Sequence, residues 1–254
     1  MTDSSSTSQA ATAVTSRAIV AAVFWLAAWQ VLAMTVGQRI VLASPVQVVQ
    51  ALFRLVPTAQ FWETLAASGL RIIAGFAFGL ILGALLAFTA NASKWAAAIV
   101  APPMRAARSV PVVSFVILVL LWAGPQALTV TVAAIMVAPI AFANISEGLT
   151  RTDPELEDVA KVFAASPLQR FRAITWPTVL PFLAAACQAG IGLAWKAGVS
   201  AEVIGLPSGS IGERLYAARL TLATDTVLAW TVTIVAASWL LEHLATRALA
   251  RHSG

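Results

Sequence analysis

Of the 254 residues, one is cysteine, one is tyrosine, two are histidine and eleven are acidic. The lone cysteine, Cys187, leaves no internal disulfide and no cysteine cluster for a metal. With one of its two histidines, His252, in the C-terminal tail, the chain has little from which to build a His-based metal or catalytic site, and neither is expected. Charge is the scarcest commodity: 11% of residues are Asp, Glu, Lys or Arg, against about a quarter in soluble domains. An ordinary soluble enzyme is excluded on that ground. There is also no Gly-x-x-x-x-Gly-Lys-Ser/Thr segment, so the chain has no P-loop with which to hold nucleotide phosphates.

What the chain does have is apolar length. Hydrophobic residues make up 59% of it, and its mean hydropathy is +0.85. A bilayer core about 30 Å thick is crossed by roughly 20 apolar residues in a helix. Runs of that kind predict about six spans, near 18–37, 64–90, 96–122, 127–146, 178–200 and 225–243. The fold class is therefore all-α, a polytopic membrane protein embedded in the lipid bilayer. Residues 1–17, rich in Ser, Thr and Ala, are expected to be a disordered tail. Residues 18–246 are expected to form a single membrane domain, and 247–254 a second tail. The net charge of +5 is explained by loop Lys and Arg residues rather than by a nucleic-acid partner. With both termini inside, eight Lys/Arg fall on the cytoplasmic side and four outside, as the positive-inside rule requires.

Local signals punctuate the spans. Ser44-Pro45 opens a short interfacial helix to Val56, with Ser44 as N-cap. Gly75, Gly79 and Gly83 recur every four residues, a spacing that admits a close helix neighbour from the same chain or from a second copy. Pro102-Pro103 and Pro111 interrupt the third span, and Gly124-Pro125 marks a tight turn. Trp25, Trp29, Trp62, Trp122 and Trp239 suit an aromatic belt better than a ligand box. Arg105, Arg108, Lys196 and Glu202 are charged residues in or beside spans, where charge often marks a pathway. Arg105 and Arg108 share a helix face and either attract an anion or reach toward headgroups. Lys196, roughly 27 Å beyond Thr178 at 1.5 Å per residue, sits near the outer surface, and Glu202 precedes a Gly/Pro/Ser loop.

Nine charged residues gather between Glu147 and Pro177. Asp153-Pro154 caps a short helix with Leu156, Val159, Ala160 and Phe163 on one face. Ser166-Pro167-Leu168-Gln169 is a capping box for a second, with Phe171 and Ile174 on its apolar face. Trp176-Pro177 ends it. Helices this short need something to pack on: a soluble partner, the membrane surface, or the ends of their own spans.

This segment resembles the cytoplasmic pattern of membrane subunits of bacterial ABC importers: Glu-Ala-Ala, three residues, Gly, nine residues, Ile-x-Leu-Pro. Here the positions are Asp158, Val159, Ala160, Ala164, Ile174, Trp176 and Pro177. Ala160, Ile174 and Pro177 match, whereas Asp158, Ala164 and Trp176 replace Glu, Gly and Leu. Ala164 in place of the turn glycine predicts a turn without positive φ. Ser44-Pro45 with Val48 and Leu52, Leu70–Phe76, Ile191–Trp195 and Ala201–Gly205 are similar to nitrate/sulfonate/taurine-type permeases.

The resemblance implies an inner-membrane permease, with segment 147–177 as its coupling-helix hairpin between spans four and five. It implies four partners: a cytoplasmic ABC ATPase dimer carrying ATP and Mg, a second permease subunit making a homodimer, a periplasmic or lipid-anchored solute-binding protein, and the bilayer. The chain itself would bind no cofactor and catalyse nothing. Leu156, Asp158, Val159, Ala160, Lys161, Phe163, Ala164, Phe171, Ile174 and Pro177 would make the ATPase contact. The solute would be a small anion such as a sulfonate, taurine or nitrate, or a vitamin precursor. An ATP-independent secondary transporter is the competing reading. It would normally carry an inverted repeat or a chain of intramembrane acids, and spans two to four contain no Asp or Glu.

Overall fold

The computed structural model describes the backbone of residues 4–250, with side chains described for residue 17 and residues 19–247. Among the described residues every regular element is a helix. In chain order these are α1 (Ser4–Val36), α2 (Pro45–Leu55), α3 (Ala59–Ala92), α4 (Lys94–Ser109), α5 (Val112–Thr150), α6 (Pro154–Val162), α7 (Pro167–Arg170), a π turn (Phe171–Thr175), α8 (Trp176–Gly205), α9 (Ile211–Leu220) and α10 (Thr224–Ala250). Among the described residues, five helical stretches are long and apolar enough to cross a membrane: Ile19–Val36, Ala59–Ala92, Val112–Thr150, Pro167–Gly205 and Thr224–Arg247. The chain forms two compact units.

One unit comprises the described residues up to Phe61 together with Ala217–Val232. Ser44 caps α2 as its sequence predicts: the Gln47 N–H donates to Ser44 Oγ at 3.4 Å, and Gln47 Oε1 accepts from the Ser44 N–H at 3.0 Å. The cap fixes the buried face of α2, so that Val48 and Ala51 pack with Ala43 and Ala229. The Phe61 and Trp230 rings stack with centroids 5.0 Å apart. An ion pair joins Arg54 to Asp225 at 2.6 Å, but Arg54 is 68% exposed. Such a pair stabilises by about 1 kcal/mol at most, so the apolar cluster is the stronger fastening.

The other unit comprises Trp62–Tyr216 and the described residues from Thr233 on. Its centre is α3, the limb of α5 after Gly124, and α8. Gly75, Gly79 and Gly83 are packed within the chain, on α5. A Cβ at Gly75 would lie 2.5 Å from the Val130 carbonyl oxygen, and one at Gly79 would lie 2.6 Å from that of Ala134; Gly83 meets Ala138. Lipid offers no hydrophobic drive for helix association, so this backbone-to-backbone approach supplies the packing instead. The pairing advances four residues at a time on both helices, so α3 and this limb of α5 run parallel. Gly190 and Gly198 of α8 meet Phe76 and Ile72 of α3 in reverse order, so α8 runs antiparallel to it. Two apolar clusters fill the unit. One is built on Val116, Leu128, Val132 and Ala201, the other on Ala141, Ile145, Leu149 and Val179.

The structure revises several expectations. The third span is interrupted as expected at Pro111 but not at Pro102-Pro103. It divides at Val110-Pro111, where Val110 is extended (φ −78°, ψ 131°), because the proline ring disfavours the α region for its predecessor and removes a donor. The double proline at 102–103 stays inside α4. At Gly124 (φ 72°, ψ 179°) the chain leaves helical geometry in a region open essentially to glycine alone, which separates the two limbs of α5. The helix α1 begins at Ser4, inside the segment expected to be disordered; no glycine or proline interrupts the chain from there to Gly37. Residues 251–254 of the second tail lie outside the described residues.

Candidate functional site

The polar segment lies at one end of the three-helix core, where Phe182 fills the space beside Gly148 and Leu149 packs with Val179. Asp153 Oδ1 accepts from the Glu155 N–H at 2.9 Å, and Pro154 opens α6. Both halves of the predicted box at Ser166 and Gln169 are present, at 2.7 and 3.3 Å. These local bonds fix where each helix begins.

The turn between them differs from expectation. Ala164 has φ 49°. The Ala165 N–H donates to Ala160 O at 2.9 Å and the Ala164 N–H to Lys161 O at 3.0 Å. This pair of bonds is a Schellman motif, and it requires its C′ residue, here Ala164, to be left-handed. The positive φ associated with the family's glycine is therefore kept by an alanine, at a cost of roughly 1–2 kcal/mol.

The second short helix does not end at Trp176-Pro177. It continues through the π turn into α8, giving one stretch from Pro167 to Gly205. The Trp176 N–H donates to Phe171 O, five residues back. That wider turn changes the bonding register just before Pro177, so the proline's missing donor falls at the first turn of α8.

No residue of α6 is buried. Val162 and Phe163 are 83% and 80% exposed, and Leu156 and Val159 are about half exposed. Ala160 is intermediate, and Ala164 and Pro177 are exposed. Lys161 pairs with Asp158 at 2.8 Å, and Arg170 reaches Glu157 at 3.8 Å, linking the two helices. Phe171 lies between Phe88 and Trp176, with ring centroids 6.0 and 6.1 Å away. Ile174 is buried and faces the chain's own interior. Val162, three residues after Val159 and thus on the same side, joins the apolar surface; this spacing is the signal by which the sequence could have revealed it.

The residues singled out for charge are not gathered in one place. Arg105 and Arg108 are exposed near the C-terminal end of α4, where cations complement the helix dipole, and Arg105 Nε donates to Ala101 O at 3.3 Å. Lys196 is exposed on α8 between the buried Trp195 and Ala197. Glu202 is fully buried and no ion pair joins it to Lys196. Its Oε2 accepts from Ser68 Oγ at 2.8 Å and from the Gly212 N–H at 3.4 Å, and its Oε1 accepts from Thr129 Oγ1 at 3.2 Å. It thus ties together α3, α5, α8 and the start of α9, at the end of the core opposite the polar segment. Sequence reasoning marked Glu202 but missed Ser68 and Thr129, since a lone hydroxyl in an apolar run carries no pattern of its own.

Residues 79–252 match the family model described as binding-protein-dependent transport system inner membrane component. The chain is 32% identical over 207 residues to SsuC of Escherichia coli (strain K12), a permease protein named for aliphatic sulfonates transport, covering 80% of this chain and 78% of that one. It is 27% identical over 230 residues to the taurine transport system permease protein TauC of the same organism, covering 88% and 82%. Among solved structures, it resembles a chain of the inward-facing MetNI methionine ABC transporter with a TM-score of 0.58 at 21% identity, covering 80% of this chain and 96% of that one. The chain belongs to the binding-protein-dependent transport system inner membrane component family, and it is the membrane-spanning permease subunit of an ABC importer.

Proposed function

We propose that residues 151–175 are the surface on which a cytoplasmic ATPase docks, and that the helices behind them carry a small anion of the sulfonate class across the membrane. The observation that carries the docking reading is the exposed apolar surface of Leu156, Val159, Val162 and Phe163 on a short, capped helix. Left in water these side chains forgo about 1.5–3 kcal/mol each of burial, a gain that a partner's cleft supplies. Asp158 and Lys161 are already paired with each other, so they frame that contact without leaving an isolated charge in it.

ATP and Mg belong to the partner in this scheme. The parallel run of α3 and the second limb of α5 supports six crossings, because the chain between them must return. At 1.5 Å per residue, α4 is about 24 Å long and the first limb of α5 about 18 Å, so the return takes both. Six crossings put both termini in the cytoplasm with the polar segment, in keeping with the distribution of Lys and Arg. A second copy of the chain completes the pathway, and a binding protein delivers solute at the Glu202 end. The sulfonate class follows from the names of SsuC and TauC, and Arg105 and Arg108 supply positive charge to attract an anion.

The test is Phe163→Asp in the permease–ATPase complex, reconstituted with its binding protein. A buried, unpaired carboxylate at the contact costs several kcal/mol. Uptake and ATPase association are expected to fall together. Wild-type association with undiminished uptake would refute the docking surface.

A further inference from the structure

The loop after α8 is held more firmly than its composition suggests. Residues 205–210 read Gly-Leu-Pro-Ser-Gly-Ser, yet Pro207 and Ser210 are buried. Ser68 on α3 is bonded in both directions: its hydroxyl donates to Glu202 and accepts from the Ile211 N–H at 2.9 Å. The first turn of α9 is therefore fastened twice, by Ile211 to Ser68 and by Gly212 to Glu202. Gly212 packs so closely on the Glu202 and Val203 backbone that a Cβ has no room. Arg71 Nη2 donates to Ser208 O at 3.1 Å, and Gln126 Nε2 donates to Ser208 Oγ at 3.0 Å. The Gly209 N–H donates to Glu213 Oε2 at 2.7 Å.

Glu202 sits on the same continuous helical stretch as the polar turn. From Thr175 to Glu202 is 27 residues on one helical path, about 40 Å at 1.5 Å per residue. A carboxylate sealed from solvent and satisfied by three donors on three other elements is a fixed junction rather than part of an open path. If the loop lifts away from α8, Glu202 loses the Gly212 N–H and Ser68 loses the Ile211 N–H, and a buried acceptor left without a donor is costly.

We propose that Glu202 is a positioning residue whose clasp on Ser68, Thr129 and Gly212 makes residues 206–212 move as one body with α8, so that movement of the polar turn at one end of the helix reaches the loop at the other. The proposal rests on the ATPase-docking reading. It assigns Glu202 a role in linking the two ends and none in contacting solute.

The test is hydrogen exchange on the full permease–ATPase complex in lipid nanodiscs, without nucleotide and trapped with ATP and vanadate. In the wild type, trapping should change protection both in residues 151–175 and in residues 206–212. In Glu202→Gln, and separately in Ser68→Ala, the response of 151–175 should remain while that of 206–212 falls about five-fold or more, the lower end of typical inter-site coupling. Ser68→Ala removes one hydroxyl and leaves the Glu202 carboxyl group in place, so it serves if Glu202→Gln fails to assemble. A loop response in both variants equal to the wild type overturns the proposal, as does a wild-type loop that ignores trapping while 151–175 responds. If 151–175 itself does not respond in the wild type, the docking reading falls and this inference falls with it.

Discussion

Replacing Gly79 by alanine inserts one methyl group between α3 and α5. Its Cβ would stand 2.6 Å from the Ala134 carbonyl oxygen and 2.9 Å from Val137 Cβ, where ordinary contact begins at 3.4 Å. The helices must separate by most of an ångström to admit it. The nearest obstacle is backbone and cannot rotate away. Separation at Gly79 also loosens the neighbouring contacts at Gly75 and Gly83, because the three share one seam. Overpacking of this kind costs about 1–3 kcal/mol. For a chain of this size that is roughly 2–4 °C of melting temperature per kcal/mol.

Gly69 on the same helix provides the contrast. A Cβ there meets nothing within 4 Å, and exchanging glycine for alanine in a helix interior gains up to about 1 kcal/mol of propensity. Thermal unfolding in detergent, followed by tryptophan fluorescence, should show Gly79→Ala melting several degrees below the wild type. Gly69→Ala should melt at or above it. Equal melting of the two variants, or a lower melting temperature for Gly69→Ala, would refute the packing argument.

Two further changes have defined outcomes. Ala164→Gly relieves the left-handed strain of roughly 1–2 kcal/mol but raises the entropy of the unfolded chain by up to about 1 kcal/mol, so hydrogen exchange should report a slightly firmer 160–165 turn. A less protected turn would mean that Ala164 is not strained. Neutralising Arg105 and Arg108 together to glutamine should reduce uptake of an anionic sulfonate while ATPase co-purification stays at the wild-type level. Unchanged uptake kinetics would remove both residues from the pathway.

The parts of the structure that were legible in the sequence are those settled by bonds a few residues long. Ser44, Asp153 and Ser166 could be read as N-caps because each reaches only two or three residues ahead. Gly75, Gly79 and Gly83 announced a close neighbour by their spacing, but the spacing could not say which helix, since that depends on a contact some 55 residues away. The carboxylate of Glu202 was visible as a charge beside a span. Its meaning was hidden because its partners lie 134, 73 and 10 residues off. Two local readings failed where backbone geometry departed from the commonest case. Pro177 suggested a helix end because an ordinary α register would lose a bond there, and the π turn ahead of it shifts that register. Ala164 suggested a turn with negative φ because alanine resists the alternative, and the Schellman bonds around it override that preference.

The central claim is that the exposed end of α6 meets the ATPase, and site-directed cross-linking tests it most directly. In a Cys187→Ala background, a single cysteine introduced in place of Phe163 is joined to a cysteine on the ATPase surface by a short bifunctional reagent. A second variant with its cysteine in place of Ser208, on the opposite end of the core, serves as the comparison. A permease–ATPase adduct is expected from position 163 and none from position 208. An adduct from position 208 with none from position 163 would contradict it.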